Sequence, residues 1–375
     1  MINRSIISGA QKVKEYLSYG LVAITAVLLF ALLGNSNKWL ANLFYLFLLL
    51  PSVCFLRKYL RSQKVIGPVI YVLFLYSFYS ACVLFFDGAD FEHFKYFILL
   101  VLFYIFVLIN FNTEKRVLGL FFSVLFISFL FLTYGALDAG NLGIKRYDFG
   151  GVNANRLTVL FALPFSWFAW YCFSTDKSYK YFSWFLFFLY VAINFYLMGS
   201  RSIILLVGSF LVFFIYDFRN KFTVKETFFM LFLVLVVVCF FIFYDPLYDK
   251  LLARGSSRRI IIWIDVINHM SERSCFLFGC GKADTYKFIG WIDNPHGVFI
   301  SSLYYYGVVG LLFFLLFLFL CFINLEGFYR AWFVAFLAYG IFTHVELIEK
   351  PSIIWLYFWL PLFIGLINNK KIEYA

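Results

Sequence analysis

Runs of about 20 consecutive apolar residues recur along the 375-residue chain, and each is long enough to cross the roughly 30 Å hydrocarbon core of a membrane. Hydrophobic residues make up 64% of the sequence and charged residues 14%, whereas soluble domains contain roughly 25% charged residues. A run such as 228–244 also lacks the alternation that strands of a membrane β-barrel show. The sequence therefore predicts an all-α, polytopic integral membrane protein whose residues 1–375 form a single domain.

The apolar runs predict about twelve transmembrane helices, although short gaps between several runs leave eleven or thirteen open. They cover approximately residues 17–34, 39–56, 67–86, 94–111, 117–134, 156–174, 181–199, 202–218, 228–244, 298–323, 331–345 and 353–368. A cytoplasmic N-terminus concentrates Lys and Arg in the inner connections, so both termini are predicted to be cytoplasmic. The basic segment 1–16 lacks a small-residue cleavage site, and we interpret it as a cytoplasmic lead-in to the first helix.

The interval 245–297 is the only long polar stretch between two predicted spans. Irregular backbone facing lipid is not tolerated in the hydrocarbon, so this interval is predicted to be a large external loop. The net charge of the chain is +11. In a membrane protein, loop orientation and contact with anionic membrane lipids explain most of that excess, and no nucleic-acid partner is predicted.

Three arginines are candidates for binding an anion on the external side. Arg201 opens the predicted helix 202–218, where helix N–H groups favour an anionic ligand; a lone arginine that reaches toward lipid headgroups is the alternative. Arg258 and Arg259 precede an apolar helical pattern that runs through Trp263. They could form a bidentate phosphate clamp, or belong to a basic amphipathic helix on the membrane surface.

His296 lies at the end of the external loop, directly before the apolar run that starts at Val298. Imidazole exchanges protons near neutral pH, so His296 is a candidate general base; the alternative is a polar residue that simply ends a loop. No histidine has a partner at metal-ligand spacing, so no metal site is predicted. Cys275 and Cys280 share the loop, where an oxidising compartment permits a disulfide.

Several short motifs, in this order and spacing, resemble the O-antigen ligase and O-antigen polymerase superfamily. They are Met198-Gly199-Ser200-Arg201, Arg259-Ile260-Ile261-Ile262-Trp263, Phe278-Gly279-Cys280-Gly281, Pro295-His296, and Gly307-Val308-Val309-Gly310-Leu311. The late stretch 350–361 is similar to the ligase branch more than to the polymerase branch. The resemblance covers the second half of the chain well and the first half only in topology.

The resemblance implies an inner-membrane glycosyltransferase of the GT-C type with a large periplasmic loop, acting without a cofactor. Its donor would be a glycan on undecaprenyl pyrophosphate and its acceptor lipid A-core. Arg201 and Arg259 would hold the pyrophosphate, Arg258 could substitute for Arg259, and His296 would act on the acceptor hydroxyl. The family commonly has asparagine after this histidine, whereas Gly297 stands here.

Two other functions stay open at this point. A polymerase would join lipid-linked repeat units with similar residues on the same fold. A flippase or exporter of lipid-linked oligosaccharide would need cationic residues along a cavity between two halves of the bundle, and the clustering of arginines in one outer loop disfavours it. No Walker-type nucleotide loop is present in the sequence, which argues against ATP-driven transport.

Overall fold

A computed structural model describes much of the chain from residue 67 onward and a few positions before it. The described residues are 67–86, 92–111, 113–139, 154–175, 178–198, 202–219, 259–282, 287–288, 294–341, 347–348 and 354–372, with isolated positions 42, 46, 52–53, 223, 225, 228–229, 232, 290 and 343. The spans predicted at 17–34, 39–56 and 228–244 lie wholly or mostly outside the described residues.

Ten α-helices make up almost all of the described part, which contains no β-strand. They are α1 (Pro68–Phe86), α2 (Glu92–Asn110), α3 (Glu114–Ala139), α4 (Ala154–Ser174), α5 (Lys180–Met198), α6 (Ser202–Phe218), α7 (Arg259–Glu272), α8 (Val298–Asn324), α9 (Gly327–Gly340) and α10 (Leu360–Ile372). A π-helical turn, Trp355–Trp359, leads directly into α10.

The other nine predicted spans each overlap one of these helices, so the all-helical, apolar character of the chain is confirmed. Among the described residues, Pro68–Phe86, Arg156–Ser174 and Val298–Asn324 are long and apolar enough to cross a membrane. Helices α2 and α3 meet at a bend of 114° and would add a fourth crossing if they form one broken span. The number twelve and the GT-C architecture stay predictions.

Helix α4 lies at the centre of the described bundle, with almost all of its residues buried. It packs on α3, α5 and α6, while α6 packs on α9 and α1 on α8. Aromatic rings fill the spaces, as where Trp167 stacks on Phe121 with ring centroids 4.6 Å apart. Two buried indole N–H groups donate to carbonyls: that of Trp332 to Tyr357 O and that of Trp359 to Leu347 O, each at 2.7 Å. The bundle is therefore a rigid support for the segment that precedes α8.

Candidate functional site

Helix α7 lies inside the predicted external loop and packs on the first half of α8. Its residues Ile262, Val266 and Met270 are buried and recur every fourth position, which places them on one helix face. That face contacts Tyr304 of α8, together with Phe288, in a small core separate from that of the bundle. The helix that the sequence pattern predicts after Arg259 is therefore present and anchored.

The other side of α7 is apolar and exposed. Ile260, Ile261 and Ile264 keep 67%, 53% and 56% of their surface accessible. Large exposed apolar patches on one helix face are typical of contact with a membrane or a partner. This distribution agrees with a helix whose apolar side lies on the membrane surface, one of the two interpretations of the sequence. The two faces of α7 therefore differ in their contacts: one packs on α8, and the other is exposed.

A disulfide between Cys275 and Cys280 closes the loop that follows α7, with the two Cα atoms 5.1 Å apart. The loop lies against α8 where that helix breaks at Gly307, whose φ is 68°. Phe276 O accepts a hydrogen bond from Val308 N at 2.8 Å, and Cys280 N donates to Tyr304 O at 2.8 Å. The disulfide-closed loop therefore supplies partners for backbone groups that the break leaves open.

The contact between this loop and α8 requires glycine on both sides. A Cβ atom at Gly307 would collide with Leu277 O and Gly279 N, and one at Gly279 would collide with Tyr305 O. Both glycines also have positive φ values, which other residues adopt rarely. The Phe278-Gly279 and Gly307 motifs of the sequence thus meet in space, although they are about 30 residues apart.

The turn that contains His296 enters α8 through an unusual backbone conformation. Pro295 is buried, His296 has a φ of 46°, and Gly297 has a φ of 100°. Gly297 O accepts the first hydrogen bond of α8, from Ser301 N at 2.9 Å. Non-glycine residues at positive φ are uncommon, and they cluster at functional sites. The backbone conformation is therefore a reason to consider His296 as a site residue, in addition to the chemistry of its imidazole.

Trp263 joins α7 to this turn. Its indole Nε1 donates a hydrogen bond to His296 O at 2.8 Å. Arg259 is four residues before Trp263, so the two side chains project from the same face of α7. The structure therefore brings the arginine-bearing start of α7 and the His296 turn into one assembly, which is the arrangement that the predicted roles of Arg259 and His296 need.

The environment of Gly297 explains why asparagine does not stand there. A Cβ atom at this position would lie 2.5 Å from Ile341 O, directly after α9. The close approach of the turn to the end of α9 therefore excludes any larger side chain. Position 297 therefore cannot supply the asparagine side chain that the family commonly has after the histidine.

Two buried side-chain oxygens near the turn have no hydrogen-bond partner among the residues that the structure describes: Asn294 Oδ1 and Ser301 Oγ. Asn294 is two residues before His296, and Ser301 is one helical turn after Gly297. Unpaired buried polar atoms are rare in native structures and each needs an explanation. Sequence analysis did not single out either residue, because burial and lack of a partner are not visible in a sequence.

The other two predicted site residues cannot be placed. Arg201 and Arg258 lie outside the described residues, immediately before α6 and α7. His269 is buried on α7, with its ring centroid 6.0 Å from that of Tyr304. No group of three His, Cys, Asp or Glu side chains within the described part of the chain is arranged to hold a metal ion. Within the described residues, the candidate site consists of Arg259, Trp263 and the 294–297 turn.

A family model described as O-antigen ligase matches residues 186–315. The matched segment begins within α5 and ends within α8, so it contains Arg201, Arg258, Arg259 and His296. A search of curated proteins found no match to the chain.

Proposed function

Because residues 186–315 place this chain in the O-antigen ligase and polymerase superfamily, we propose that it is an O-antigen ligase. It transfers a glycan from undecaprenyl pyrophosphate to a sugar hydroxyl of lipid A-core, at the periplasmic face of the inner membrane. The observation that carries the proposal is the hydrogen bond from Trp263 to His296 O. It holds a helix that begins with arginine beside a histidine in a strained turn.

The arginines bind the pyrophosphate of the donor. Arg259 is the first residue of α7, where the helix dipole and free N–H groups add to the attraction for an anion. Guanidinium groups bind phosphate oxygens in pairs, and Arg258 and Arg201 would add to the positive charge. As the bond to the sugar breaks, negative charge grows on the leaving pyrophosphate, so this charge stabilises the transition state without a metal ion.

His296 takes the proton of the acceptor hydroxyl. The hydroxyl oxygen forms a new bond to the anomeric carbon while the bond from that carbon to the pyrophosphate oxygen breaks, and the electron pair leaves with the pyrophosphate. A positioned general base contributes about 10²–10⁴-fold to such a step. A single displacement inverts the anomeric configuration, so a product of retained configuration would contradict this mechanism.

The break in α8 at Gly307 indicates how far the site lies from the hydrocarbon core of the membrane. The part of α8 after the break, residues 308–324, is about 25 Å long and suits the hydrocarbon thickness. Leu277 and Phe278, beside the break, are 54% and 60% exposed, as expected for side chains that enter the outer leaflet. The His296 turn then lies beyond the hydrocarbon, near the phosphate groups of a lipid-linked donor.

The ligase proposal is tested by the lipopolysaccharide of a deletion strain. We expect loss of all long chains, with polymer accumulating on the lipid carrier. A core that carries one repeat unit would instead identify a polymerase. Repeats retained on the inner leaflet would identify an exporter.

The two residues at the centre of the mechanism are tested by Arg259→Ala and His296→Ala. Each is expected to reduce glycan transfer by at least about 100-fold, while membrane insertion is unchanged. Arg273→Ala is the control, because Arg273 is an exposed arginine just after the other end of α7. Transfer is measured with purified protein, lipid-linked glycan and lipid A-core. Wild-type rates in either variant would remove that residue from the mechanism.

A further inference from the structure

A small cavity of about 30 Å³ lies beside the start of α8. It is bounded by α8 itself, by Tyr76 of α1 and by residues 347–348 of the connection after α9. A cavity of this volume holds one or two water molecules, because a single water needs about 10–15 Å³. A lipid headgroup, a sugar or a hydrated ion would be too large for it.

The lining of this cavity is rich in hydroxyl groups. Five of the described residues that line it carry a hydroxyl: Ser301, Ser302, Tyr76, Tyr305 and Tyr306. The other four are apolar: Val298, Phe314, Leu347 and Ile348. No charged side chain is among these nine residues, so the lining suits a neutral ligand that both donates and accepts hydrogen bonds.

Ser301 is the lining residue whose hydroxyl needs a partner. Only 4% of its surface is accessible, and its Oγ has no hydrogen-bond partner among the described residues. An unpaired buried hydroxyl is destabilising, because it has lost its bonds to bulk water. An unpaired oxygen on the wall of a cavity therefore points to a ligand that binds to this oxygen.

Other buried hydroxyls in these helices bond to the carbonyl four residues earlier, as Ser80 Oγ does with Tyr76 O at 2.8 Å. The corresponding carbonyl for Ser301 is Gly297 O. It accepts a hydrogen bond from Ser301 N at 2.9 Å, but Ser301 Oγ does not donate to it. The local partner that a helical serine commonly uses is thus not used here, and the hydroxyl stays available to a ligand in the cavity.

Two further buried serines, Ser128 and Ser166, also have an Oγ without a partner among the described residues. Neither of them lines this cavity. What distinguishes Ser301 is therefore the space beside its hydroxyl. Ser166, on the buried helix α4, provides a matched control, because it is a buried and unpaired serine without that space.

We propose that this cavity binds water, with one molecule hydrogen-bonded to Ser301 Oγ. Because Ser301 N also donates the first hydrogen bond of α8, to Gly297 O, the bound water holds the helix turn that directly follows His296. This ligand is structural, and its binding does not depend on the transfer reaction proposed above.

The first experiment looks for the water itself, in a structure of the full-length protein in nanodiscs determined at a resolution that shows ordered water. Density for a water molecule is expected at roughly 2.7–2.8 Å from Ser301 Oγ. The same density is expected to be lost in Ser301→Ala. A wild-type cavity without density, or one filled by a side chain of the protein, would overturn the proposal.

The second experiment compares the thermal transitions of Ser301→Ala and Ser166→Ala. Removing a hydroxyl that has no partner at all leaves stability unchanged or raises it, and alanine has the higher helix propensity; this is the result expected for Ser166→Ala. Ser301→Ala is expected to lower the transition temperature, because it takes away a partner of the bound water. A transition that rises in both variants would overturn the proposal.

Hydrogen–deuterium exchange tests whether the water holds the first turn of α8. Peptides that contain this turn are expected to exchange at least about tenfold faster in Ser301→Ala than in the wild type. In Ser166→Ala they are expected to exchange at the wild-type rate. Wild-type exchange in Ser301→Ala would contradict the proposal that the bound water restrains this turn.

Discussion

The backbone conformation of His296 is unfavourable for a residue other than glycine. Its φ of 46° lies in a region that costs a non-glycine residue about 1–3 kcal/mol. The surroundings impose it: Pro295 is buried on one side, Gly297 packs on the end of α9 on the other, and Trp263 binds the carbonyl. Such a constraint fixes the backbone from which the imidazole projects, which suits the proposed role of His296 as a general base.

Gly297→Asn restores the residue that the family commonly has after the histidine, and we expect it to harm the protein. The new Cβ would lie 2.5 Å from Ile341 O, so the turn must move, at a cost of about 1–3 kcal/mol. We expect a lower thermal transition temperature and transfer reduced by at least about tenfold.

Gly290→Asn is the control for that substitution. Gly290 also has a positive φ, 85°, but nothing lies within 4 Å of an added Cβ. This variant therefore measures the free-energy cost of placing asparagine at a positive φ, without a steric collision of its Cβ atom. Wild-type stability and activity in Gly297→Asn would show that the turn is not confined by α9.

Trp263→Phe tests the tether between α7 and His296. The substitution keeps an aromatic ring and removes the N–H that donates to His296 O. We expect kcat to fall by about 10- to 100-fold, as for a misplaced catalytic group, while KM for the donor changes little because Arg259 is retained.

The matched control is Trp332→Phe, which removes an equivalent indole bond, to Tyr357 O, in the bundle core. We expect it to lower stability and leave kcat unchanged. Equal effects of the two substitutions on kcat would mean that Trp263 acts only through general stability.

At the scale of elements, α8 is built in two parts that meet at Gly307. The disulfide-closed loop after α7 caps the second part through Phe276 O and Leu277 O, which accept from Val308 N at 2.8 Å and Val309 N at 3.3 Å. Because α7 carries Arg259 and α8 follows His296, this joint fixes the angle between the two elements that carry the proposed site residues. A substitution at this joint is therefore expected to alter the relative positions of Arg259 and His296 without contacting either residue.

Gly307→Ala is expected to destabilise the protein severely. The methyl group would collide with Leu277 O and Gly279 N, and alanine disfavours the φ of 68°. Both effects together exceed about 3 kcal/mol, so we expect a much lower thermal transition, measured by fluorescence-detected size exclusion. Gly208→Ala, in α6 with open space around it, should be neutral or raise stability by up to about 1 kcal/mol. Similar transitions for the two variants would contradict the packing of the loop on α8.

The sequence predicted those features that depend on residues close together in the chain. The apolar runs predicted the helices, and the pattern after Arg259 predicted α7, because both depend on neighbouring residues. The break at Gly307, the bond from Trp263 to His296 O and the collision at Gly297 depend on segments that are distant in sequence, so no local pattern could reveal them. The Cys275–Cys280 disulfide is an intermediate case: a shared loop in an oxidising compartment permitted it, and the structure contains it.

At the scale of the whole molecule, the two ends of the apolar bundle are predicted to face different compartments. The predicted orientation puts the His296 turn outside and the connection from α8 to α9 on the cytoplasmic side. That orientation depends only on the distribution of Lys and Arg. The proposed chemistry needs it, because a lipid-linked donor and a lipid A-core acceptor meet on the periplasmic side.

Labelling of introduced cysteines in intact cells tests this orientation, with the wild type as the baseline for its seven native cysteines. Gly290→Cys places a thiol in the predicted external loop at an exposed position with open space. Thr175→Cys places one at an exposed position after α4, in a connection predicted to be cytoplasmic. A membrane-impermeant maleimide is expected to label position 290 in intact cells and position 175 only after the membrane is opened. Glycan transfer by each variant confirms that it has folded. The reverse pattern would put Arg259 and His296 in the cytoplasm, where neither proposed substrate presents its reacting groups, and the ligase proposal would then fail.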